Sequence, residues 1–337
     1  MSIKNSNITA NPRLYERALQ TPPALPFLQY LVNFGGIPAQ FRGSFVVPFM
    51  ENYFDIIVYS QMAYLIFIWY GPKWMESRSP FRLRAVSAVW NLLLCLFSFG
   101  GAIGCVTLLA ALVESGGLYQ SICVYPHHVI YDGELSFWML AFLLSKIPEM
   151  FDTVLIVLQK KPLIFLHWYH HMTVSIFCWY AGRSLISSGI YFATMNYCVH
   201  AVMYSYYLCC SLGLRRLVRP LAPLITGAQL LQMLVGTAVV VYTWYHSYIS
   251  GRGCDVDRRT IRMGIAMYGS YVVLFALLFA RLYLTKSTKK DSTKLRTNSS
   301  KNKNNNKNNS QGAVVATAAT NGKETNGKAK DEKRKQK

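Results

Sequence analysis

Residues 135–158, LSFWMLAFLLSKIPEMFDTVLIVL, form an apolar segment with charged side chains in its middle. A helix needs about 20 apolar residues to span a bilayer, so the segment is long enough. Lys146, Glu149 and Asp152 follow one another at three-residue intervals and therefore share one helix face. A charge at the centre of a membrane helix opposes insertion by roughly 2.5–3.5 kcal/mol and normally faces a bundle interior. The segment therefore predicts a membrane helix with one charged face turned inward.

Six further apolar segments flank this one, at residues 54–71, 85–113, 163–182, 188–210, 221–247 and 263–285. The 337 residues are 52% hydrophobic and 15% charged. Together these features predict an all-α polytopic membrane protein with seven transmembrane helices. We expect a lumenal segment at residues 1–52, a membrane domain at residues 53–285 and a disordered basic cytosolic tail at residues 286–337.

Loop charge predicts the orientation of the bundle. The loops after the first, third and fifth segments carry Lys73, Arg78, Arg82, Arg84, Lys160, Lys161, Arg215, Arg216 and Arg219. Basic loops usually face the cytosol, so we expect a lumenal N-terminus and a cytosolic C-terminus. The loop at residues 251–262 departs from the pattern because it carries four arginines on the lumenal side.

Three other segments also carry polar stripes. These are His167, His170 and His171 on the fourth, Asn196, His200 and Tyr204 on the fifth, and Gln229 and Gln232 on the sixth. At about 1.5 Å of rise per residue, Asp152, His171, His200 and Gln229 fall roughly 9–15 Å from the cytosolic ends of their helices. The stripes therefore converge on one slab in the cytosolic half of the bundle, where a cytosolic substrate would meet them.

The spacing of the histidines suits either metal ligation or acid–base chemistry. A membrane di-iron site needs about eight histidines. The chain has seven, and His127, His128 and His246 lie toward the other side of the bundle. We therefore predict no metal. A single buried histidine is usually structural, but a cluster backed by Lys, Glu and Asp favours a functional role.

Three other classes of protein share some of these features. A seven-helix receptor would need an extracellular ligand mouth, whereas this polar cluster lies toward the cytosol. A transporter or channel uses intramembrane charges as a relay but usually shows discontinuous helices and internal repeats. Pro148, which we expect to kink the third segment beside the charged cluster, is the main feature in its favour. Nucleic-acid binding would exploit the net charge of +20, but over half of that charge lies in a tail without aromatic residues.

Four ordered motifs resemble those of the ELO family of fatty-acid elongases. They are KIPEMFDT (146–153), HWYHH (167–171), NYCVHAVMYSYY (196–207) and TGAQLLQ (226–232), which match KxxExxDT, HxxHH, NxxxHxxMYxYY and TxxQxxQ. The resemblance covers residues from about 50 to 285. Trp168 and Tyr169 within the histidine box resemble the branch that elongates saturated and monounsaturated chains.

The resemblance implies condensation of a long-chain acyl-CoA with malonyl-CoA to give 3-ketoacyl-CoA, CO2 and CoA, without a cofactor. We hypothesise that His170, facing His200, takes the acyl group or acts as general base, with His167 and His171 completing the box. Asp152 and Glu149 would hold ring tautomers, with Lys146 paired to them. Hydrogen bonds to the thioester oxygen or the enolate would come from Asn196, Tyr204, Gln229 and Gln232.

The family also implies substrate-binding features and partners. An apolar tunnel between the helices would hold the acyl chain. Lys160, Lys161, Arg215, Arg216 and Arg219 would bind CoA phosphates, although topological anchoring explains them equally well. The expected partners are membrane lipids and the ketoacyl reductase, dehydratase and enoyl reductase of the elongation cycle. A homodimer is compatible with the pattern.

Processing signals complete the expectations. Cys123 and Cys254 both fall in predicted lumenal loops, where a disulfide between them is chemically allowed. Asn7 begins a glycosylation sequon on the same side. Lysines third and fifth from the end resemble a dilysine retention signal, which agrees with the endoplasmic-reticulum membrane that the family resemblance implies.

Overall fold

The computed structural model describes residues 40–124, 133–184 and 186–284. Within these ranges the chain is all-helical. The helices are α1 (Val46–Asn52), α2 (Phe54–Glu76), α3 (Arg84–Cys123), α4 (Gly133–Ser145), α5 (Phe151–Leu158), α6 (Phe165–Ser184), α7 (Gly189–Ser211), α8 (Ala222–Tyr248) and α9 (Arg258–Phe279). Short turns of helix at Arg215–Val218 and Arg219–Leu221 precede α8, and the π-helix Ala280–Leu284 follows α9.

The predicted fold class is confirmed as an all-helical membrane bundle, and a helix lies at each of the seven predicted apolar segments. In the described part of the chain, four helical stretches are long and apolar enough to cross a membrane: Phe54–Glu76, Arg84–Cys123, Arg215–Tyr248 and Arg258–Leu284. Helices α6 and α7 have the length, but the polar residues of the site lower their hydropathy. The number of seven spans therefore stays a prediction.

The third apolar segment is interrupted at its charged face. Helix α4 ends at Ser145, a 3-10 turn covers Pro148–Met150, and α5 begins at Phe151. Pro148 causes the break because it lacks the N–H that would continue the helix and its ring crowds the preceding turn. The predicted kink is confirmed, and it places Lys146 and Glu149 on a tight connection between two helices.

Helix α3 is longer than the sequence predicted. The expected span ended at residue 113, with a loop at 114–134, but the helix continues to Cys123. Its regularity is broken only at Gly117, where φ is 70° and ψ is −176°. The last turns stay ordered because Ile122 and Cys123 are buried in the apolar core that also contains residues of α8 and α9.

Helices α3, α4 and α7 pack closely around Tyr197. Its ring lies against Gly101, where even a methyl group would collide with it, and 5.4 Å from the ring of Phe97. The Tyr197 hydroxyl donates a 2.9 Å hydrogen bond to the carbonyl of Trp138. This packing holds α7, which carries Asn196 and His200, in a fixed register against the rest of the bundle.

Helix α1 begins the described part of the membrane domain and packs on α6. Met50 is fully buried, and the Trp179 indole donates a 2.9 Å hydrogen bond to its carbonyl. The described residues up to Ala280 belong to one compact unit. The predicted glycosylation site at Asn7 and the tail at residues 286–337 lie outside the described residues, so the predicted domain boundaries stay predictions.

Candidate active site

Lys146 and Glu149 form a buried ion pair at the break between α4 and α5. The Lys146 ammonium lies 2.7 Å from Glu149 Oε1, and both side chains are 3% exposed. The same carboxylate oxygen accepts a 2.7 Å hydrogen bond from the Ser145 hydroxyl. Lys146 donates a second bond, of 2.9 Å, to Asn196 Oδ1 on α7. The predicted pairing of Lys146 with Glu149 is therefore present. Lys146 is also hydrogen-bonded to the fifth segment through Asn196.

This pairing fixes how Asn196 is oriented. An ammonium group only donates, so the amide oxygen of Asn196 must face Lys146. Its amide nitrogen then donates to His200 Nε2, 3.0 Å away on the next turn of α7. A neutral His200 therefore carries its proton on Nδ1, which lies 4.0 Å from Glu149 Oε2. Glu149 thus faces the His200 ring as predicted, while Asn196 donates a hydrogen bond to Nε2, the other ring nitrogen.

Asp152 has different partners from those expected. Its carboxylate accepts a 2.7 Å hydrogen bond from the Trp90 indole and a 2.8 Å bond from the Tyr204 hydroxyl. Within the described residues no histidine ring is hydrogen-bonded to Asp152, so its predicted role in holding a ring tautomer stays a prediction. The hydroxyl proton of Tyr204 is directed at Asp152 in this structure, and the predicted hydrogen bond from Tyr204 to substrate likewise stays a prediction.

The histidine box lies on the first two turns of α6. The ring centroids of His167 and His171 are 4.6 Å apart, and those of His170 and His171 are 5.6 Å apart. The Ser175 hydroxyl, one turn after His171, lies 3.3 Å from the Lys146 carbonyl oxygen, so α6 packs against the Lys146 turn. The predicted convergence of the third, fourth and fifth segments on one site is therefore present in the bundle.

The three rings of the box have different partners. His167 Nε2 lies 3.0 Å from Thr153 Oγ1, whereas the buried Nδ1 of His171 has no hydrogen-bond partner. The ring of His170 makes no hydrogen bond within the described residues, and it contacts the Tyr271 ring at 4.9 Å. Within the described residues His170 thus differs from His167 and His200, whose rings are already hydrogen-bonded.

The glutamines of α8 lie apart from this network. Gln229 donates to the sulfur of Met203 at 3.2 Å, and Gln232 is buried. Within the described residues neither amide is hydrogen-bonded to the histidines, Lys146, Glu149 or Asp152. The predicted role of Gln229 and Gln232 as donors to substrate stays a prediction.

The basic residues gather at one end of the bundle, here called the basic end, around residues 77–83, 159–164 and 212–221. Arg215, Arg216 and Arg219 line an open recess together with Gly213. Lys160 instead donates a 3.0 Å bond to the Glu76 carbonyl at the end of α2. The structure thus separates the five predicted phosphate-binding residues into an arginine recess and a lysine pair outside it.

Cys123 and Cys254 form a disulfide, as predicted, between the end of α3 and the connection from α8 to α9. The Asp255 amide donates a 2.8 Å hydrogen bond to the Cys123 carbonyl, and the Ser187 hydroxyl donates a 2.6 Å bond to the Ile122 carbonyl. This cap lies at the ends of these helices and outside the hydrogen-bonded network of Lys146.

Sequence reasoning missed the contributions of Trp90 and Tyr64. Both lie in apolar segments without a motif, and an aromatic residue there usually faces lipid or core. Their polar atoms contact Asp152 and Thr153 respectively.

Within the described residues, no group of three or more His, Cys, Asp or Glu side chains is placed to hold a metal ion. The expectation of no cofactor stays a prediction.

Residues 49–291 match the model of the ELO family, described as the GNS1/SUR4 family. The chain is 53% identical over 242 residues to very long chain fatty acid elongase 4 of Trypanosoma cruzi, covering 72% of this chain and 84% of that protein. It is 43% identical over 261 residues to fatty acid elongase 3 of the same organism, covering 71% and 87%. It is 42% identical over 232 residues to very long chain fatty acid elongase 6 of Drosophila melanogaster, covering 67% and 71%. The family model extends across the bundle and its four motifs, and the chain belongs to the ELO family.

Proposed function

We propose that this chain is the condensing enzyme of fatty-acid elongation, a very-long-chain 3-oxoacyl-CoA synthase. It joins an acyl-CoA to malonyl-CoA and yields 3-oxoacyl-CoA, CO2 and free CoA. Relatives named fatty acid elongases support this activity. The observation that carries the mechanism is the imidazole of His170, whose nitrogens make no hydrogen bond with the described residues. It lies on the helix that packs against the buried Lys146–Glu149 pair.

In the first step a nitrogen of His170 attacks the acyl thioester. The carbon–sulfur bond breaks, the acyl group is held as an acyl-imidazole, and the ring proton leaves with CoA as the thiol. In the second step malonyl-CoA loses CO2, and the resulting enolate attacks the acyl carbon. The carbon–nitrogen bond then breaks, and the released imidazole takes up a proton. A histidine suits both steps because imidazole is a good nucleophile and leaving group near neutral pH.

The buried network around Lys146 would prepare His200 for the second step. Asn196 occupies His200 Nε2 with a donor, so a neutral ring presents its Nδ1 proton on the side of Glu149. The Nδ1 proton of His200 would be the one that the His170 ring takes up when the carbon–nitrogen bond breaks, and His200 would then regain a proton from water. His200 is therefore assigned to acid–base work, and His170 to covalent catalysis.

The substrate is a long acyl chain that enters among the helices from the basic end. Trp168 and Tyr169 within the box support a saturated or monounsaturated chain. The arginine recess at Arg215, Arg216 and Arg219 would bind CoA phosphates, because guanidinium groups bind phosphate oxygens in a bidentate manner.

The 3-oxo product requires reduction, dehydration and a second reduction, so a ketoacyl reductase, a dehydratase and an enoyl reductase are the expected partners. A homodimer is part of the same proposal.

The enzyme would span the endoplasmic-reticulum membrane seven times, through α2, α3, the α4–α5 pair, α6, α7, α8 and α9. Clustering of Lys and Arg at the basic end supports its cytosolic placement, with the N-terminus lumenal and the C-terminus cytosolic. The cap formed by Cys123 and Cys254 would then face the lumen, where disulfides persist.

Transport is the second candidate function, because the α4–α5 connection makes the third segment a discontinuous helix beside buried charges. Discontinuous helices of this kind are common at the substrate sites of transporters. A condensing enzyme and a transporter differ in whether malonyl carbon enters the acyl chain.

The test is incorporation of radiolabelled malonyl-CoA by microsomes that contain this chain, with acyl-CoAs of graded length. Products two carbons longer that disappear in His170→Ala support condensation and identify the preferred chain. Labelled acyl-CoA alone should leave acyl group bound covalently to the wild type and to His200→Ala, but not to His170→Ala. Full activity of both His170→Ala and His200→Ala in folded protein would overturn the assignment. No incorporation by correctly inserted protein would favour transport.

A further inference from the structure

Tyr64 on α2 is hydrogen-bonded to the histidine box through one intermediate residue. Its hydroxyl lies 2.7 Å from Thr153 Oγ1 on α5, and the same threonine oxygen lies 3.0 Å from His167 Nε2 on α6. Tyr64 is 5% exposed and Thr153 is completely buried. Three helices thus contribute to one continuous hydrogen-bonded chain that ends on a ring of the box.

The face of α2 that carries Tyr64 turns away from the lipid. Gln61, one turn earlier, is also buried, while Met62, Leu65 and Ile66 are 45–57% exposed. A phenylalanine would fill the same volume, so the hydroxyl group is the part of Tyr64 that packing alone does not require. Its hydrogen bond to Thr153 is therefore the feature to explain.

Counting donors fixes the direction of this chain. Within the described residues the Tyr64 hydroxyl has Thr153 as its only partner, and the Thr153 hydroxyl has only Tyr64 and His167. If His167 donated to Thr153 and Thr153 donated to Tyr64, the buried phenolic proton would have no acceptor. An unsatisfied buried donor is costly. The satisfied arrangement runs from Tyr64 to Thr153 to His167.

We propose that Tyr64, acting through Thr153, holds His167 as the tautomer that is protonated on Nδ1, and that Tyr64 is a positioning residue for the reaction. His167 Nε2 then only accepts, and the Nδ1 proton is the one that the ring can give. The His167 ring lies 4.6 Å from His171, whose Nδ1 is buried without a partner. The tautomer of His167 thus decides which of its nitrogens can exchange a proton within the box. This inference rests on the proposed condensation.

The test measures condensation by the full-length membrane enzyme with Tyr64→Phe, Thr153→Val, Thr153→Ser and the Tyr64→Phe/Thr153→Val pair. Tyr70→Phe is the matched control, because Tyr70 lies on the same helix and is 62% exposed. Tyr64→Phe should lower kcat about fivefold to tenfold, the loss expected for one neutral hydrogen bond, with KM for both substrates unchanged. Tyr70→Phe should leave both constants unchanged.

The double variant separates a hydrogen-bonded relay from a packing effect. Once Thr153 is valine, the Tyr64 hydroxyl no longer reaches His167, so adding Tyr64→Phe should cause no further loss of kcat. Thr153→Ser, which keeps the hydroxyl group, should retain most of the activity that Thr153→Val loses. A purely structural role would lower the melting temperature of Tyr64→Phe and leave kcat per folded enzyme unchanged.

Three results would overturn the proposal. The first is a kcat of Tyr64→Phe equal to that of Tyr70→Phe, and the second is an equal loss from Tyr64→Phe with and without Thr153→Val. If Tyr64→Phe folds poorly, equal activities of Thr153→Ser and Thr153→Val would be the third. In all three cases the wild type would still elongate acyl-CoA, whereas failure of the proposed function itself would abolish incorporation by the wild type.

Discussion

The ammonium of Lys146 and the carboxylate of Glu149 are 2.7 Å apart, and each side chain is only 3% exposed. Moving two charges out of water costs several kcal/mol per ion, and their attraction offsets this only when further hydrogen bonds complete the pair. Ser145 and Asn196 provide those bonds. The pair is therefore stable only as part of a four-residue network that joins α4, the 3-10 turn and α7.

Removing one charge of this pair should be worse than removing both. Lys146→Met leaves the Glu149 carboxylate buried without a cation, and we expect a loss of about 3–5 kcal/mol in the free energy of unfolding. The double variant Lys146→Met/Glu149→Gln should recover part of this loss because no charge remains. Thermal unfolding of the purified chain in detergent measures both, with exposed Lys161→Met as the control. Equal destabilisation by the single and double variants would contradict this account.

Asn196→Asp should impair catalysis by the folded enzyme. An aspartate can still accept from Lys146, but it cannot donate to His200 Nε2, 3.0 Å from the present amide nitrogen. A neutral His200 ring would then carry its proton on Nε2 and donate it to the new carboxylate. Its Nδ1, which lies on the Glu149 side, would no longer carry a proton. We expect kcat per folded enzyme to fall at least about tenfold with KM near the wild-type value, and the second buried carboxylate should lower the melting temperature. A wild-type kcat would show that the tautomer of His200 is unimportant.

Spacing along single helices predicted much of the site. The charged face at Lys146 and Glu149, the kink at Pro148 and the convergence of the His167 and His200 helices all follow from local pattern. The partners of Asp152 did not, because they depend on which helices are neighbours. Trp90 on α3 and Tyr204 on α7 reach Asp152 across the bundle, and a tryptophan in an apolar segment carries no sign of such a contact.

The boundaries of elements show the same division between local and distant information. The prediction ended the second span at residue 113 because the sequence turns polar and glycine-rich there. The helix continues because its last turn is buried against α8 and α9. A disulfide also joins its last residue, Cys123, to Cys254 in the connection from α8 to α9. Tertiary contacts of this kind cannot be read from local composition.

The arginine recess should control affinity for the CoA substrates. We expect Arg215→Gln/Arg216→Gln to raise KM for acyl-CoA and malonyl-CoA about fivefold to thirtyfold, since each exposed ion pair contributes about 0.5–1 kcal/mol. The kcat value should change little, and the effect should shrink as salt is added. Arg259→Gln/Arg262→Gln removes the same charge at the other end of the bundle and serves as the control. Equal KM values for the two double variants would assign Arg215 and Arg216 to anchoring alone.

Close packing of α3 on α7 should make Gly101 intolerant of a side chain. A methyl group at Gly101 would collide with the Tyr197 ring, whereas Gly269 on α9 has open space around its α-carbon. We expect Gly101→Ala to destabilise the protein by about 1–3 kcal/mol. Gly269→Ala should be neutral or slightly stabilising, because alanine is the better helix former. Melting temperatures of the two variants decide the matter, and similar values would mean that α7 shifts easily on α3.

The disulfide should stabilise the fold without contributing to the reaction. Cys123 and Cys254 are 131 residues apart, and closing so long a loop would stabilise a soluble chain by about 5 kcal/mol. Unfolded helices are already restrained by the membrane or micelle, so we expect a smaller loss for Cys123→Ser/Cys254→Ser, about 2–4 kcal/mol, seen as a lower melting temperature. The backbone bond between Asp255 and Cys123 and the Ser187 contact remain, so kcat should be retained. A reducing agent should lower the melting temperature of the wild type toward that of the variant and leave the variant unchanged. If it lowered both equally, the stabilisation would have to come from another reducible group, and the cap would hold through its hydrogen bonds alone.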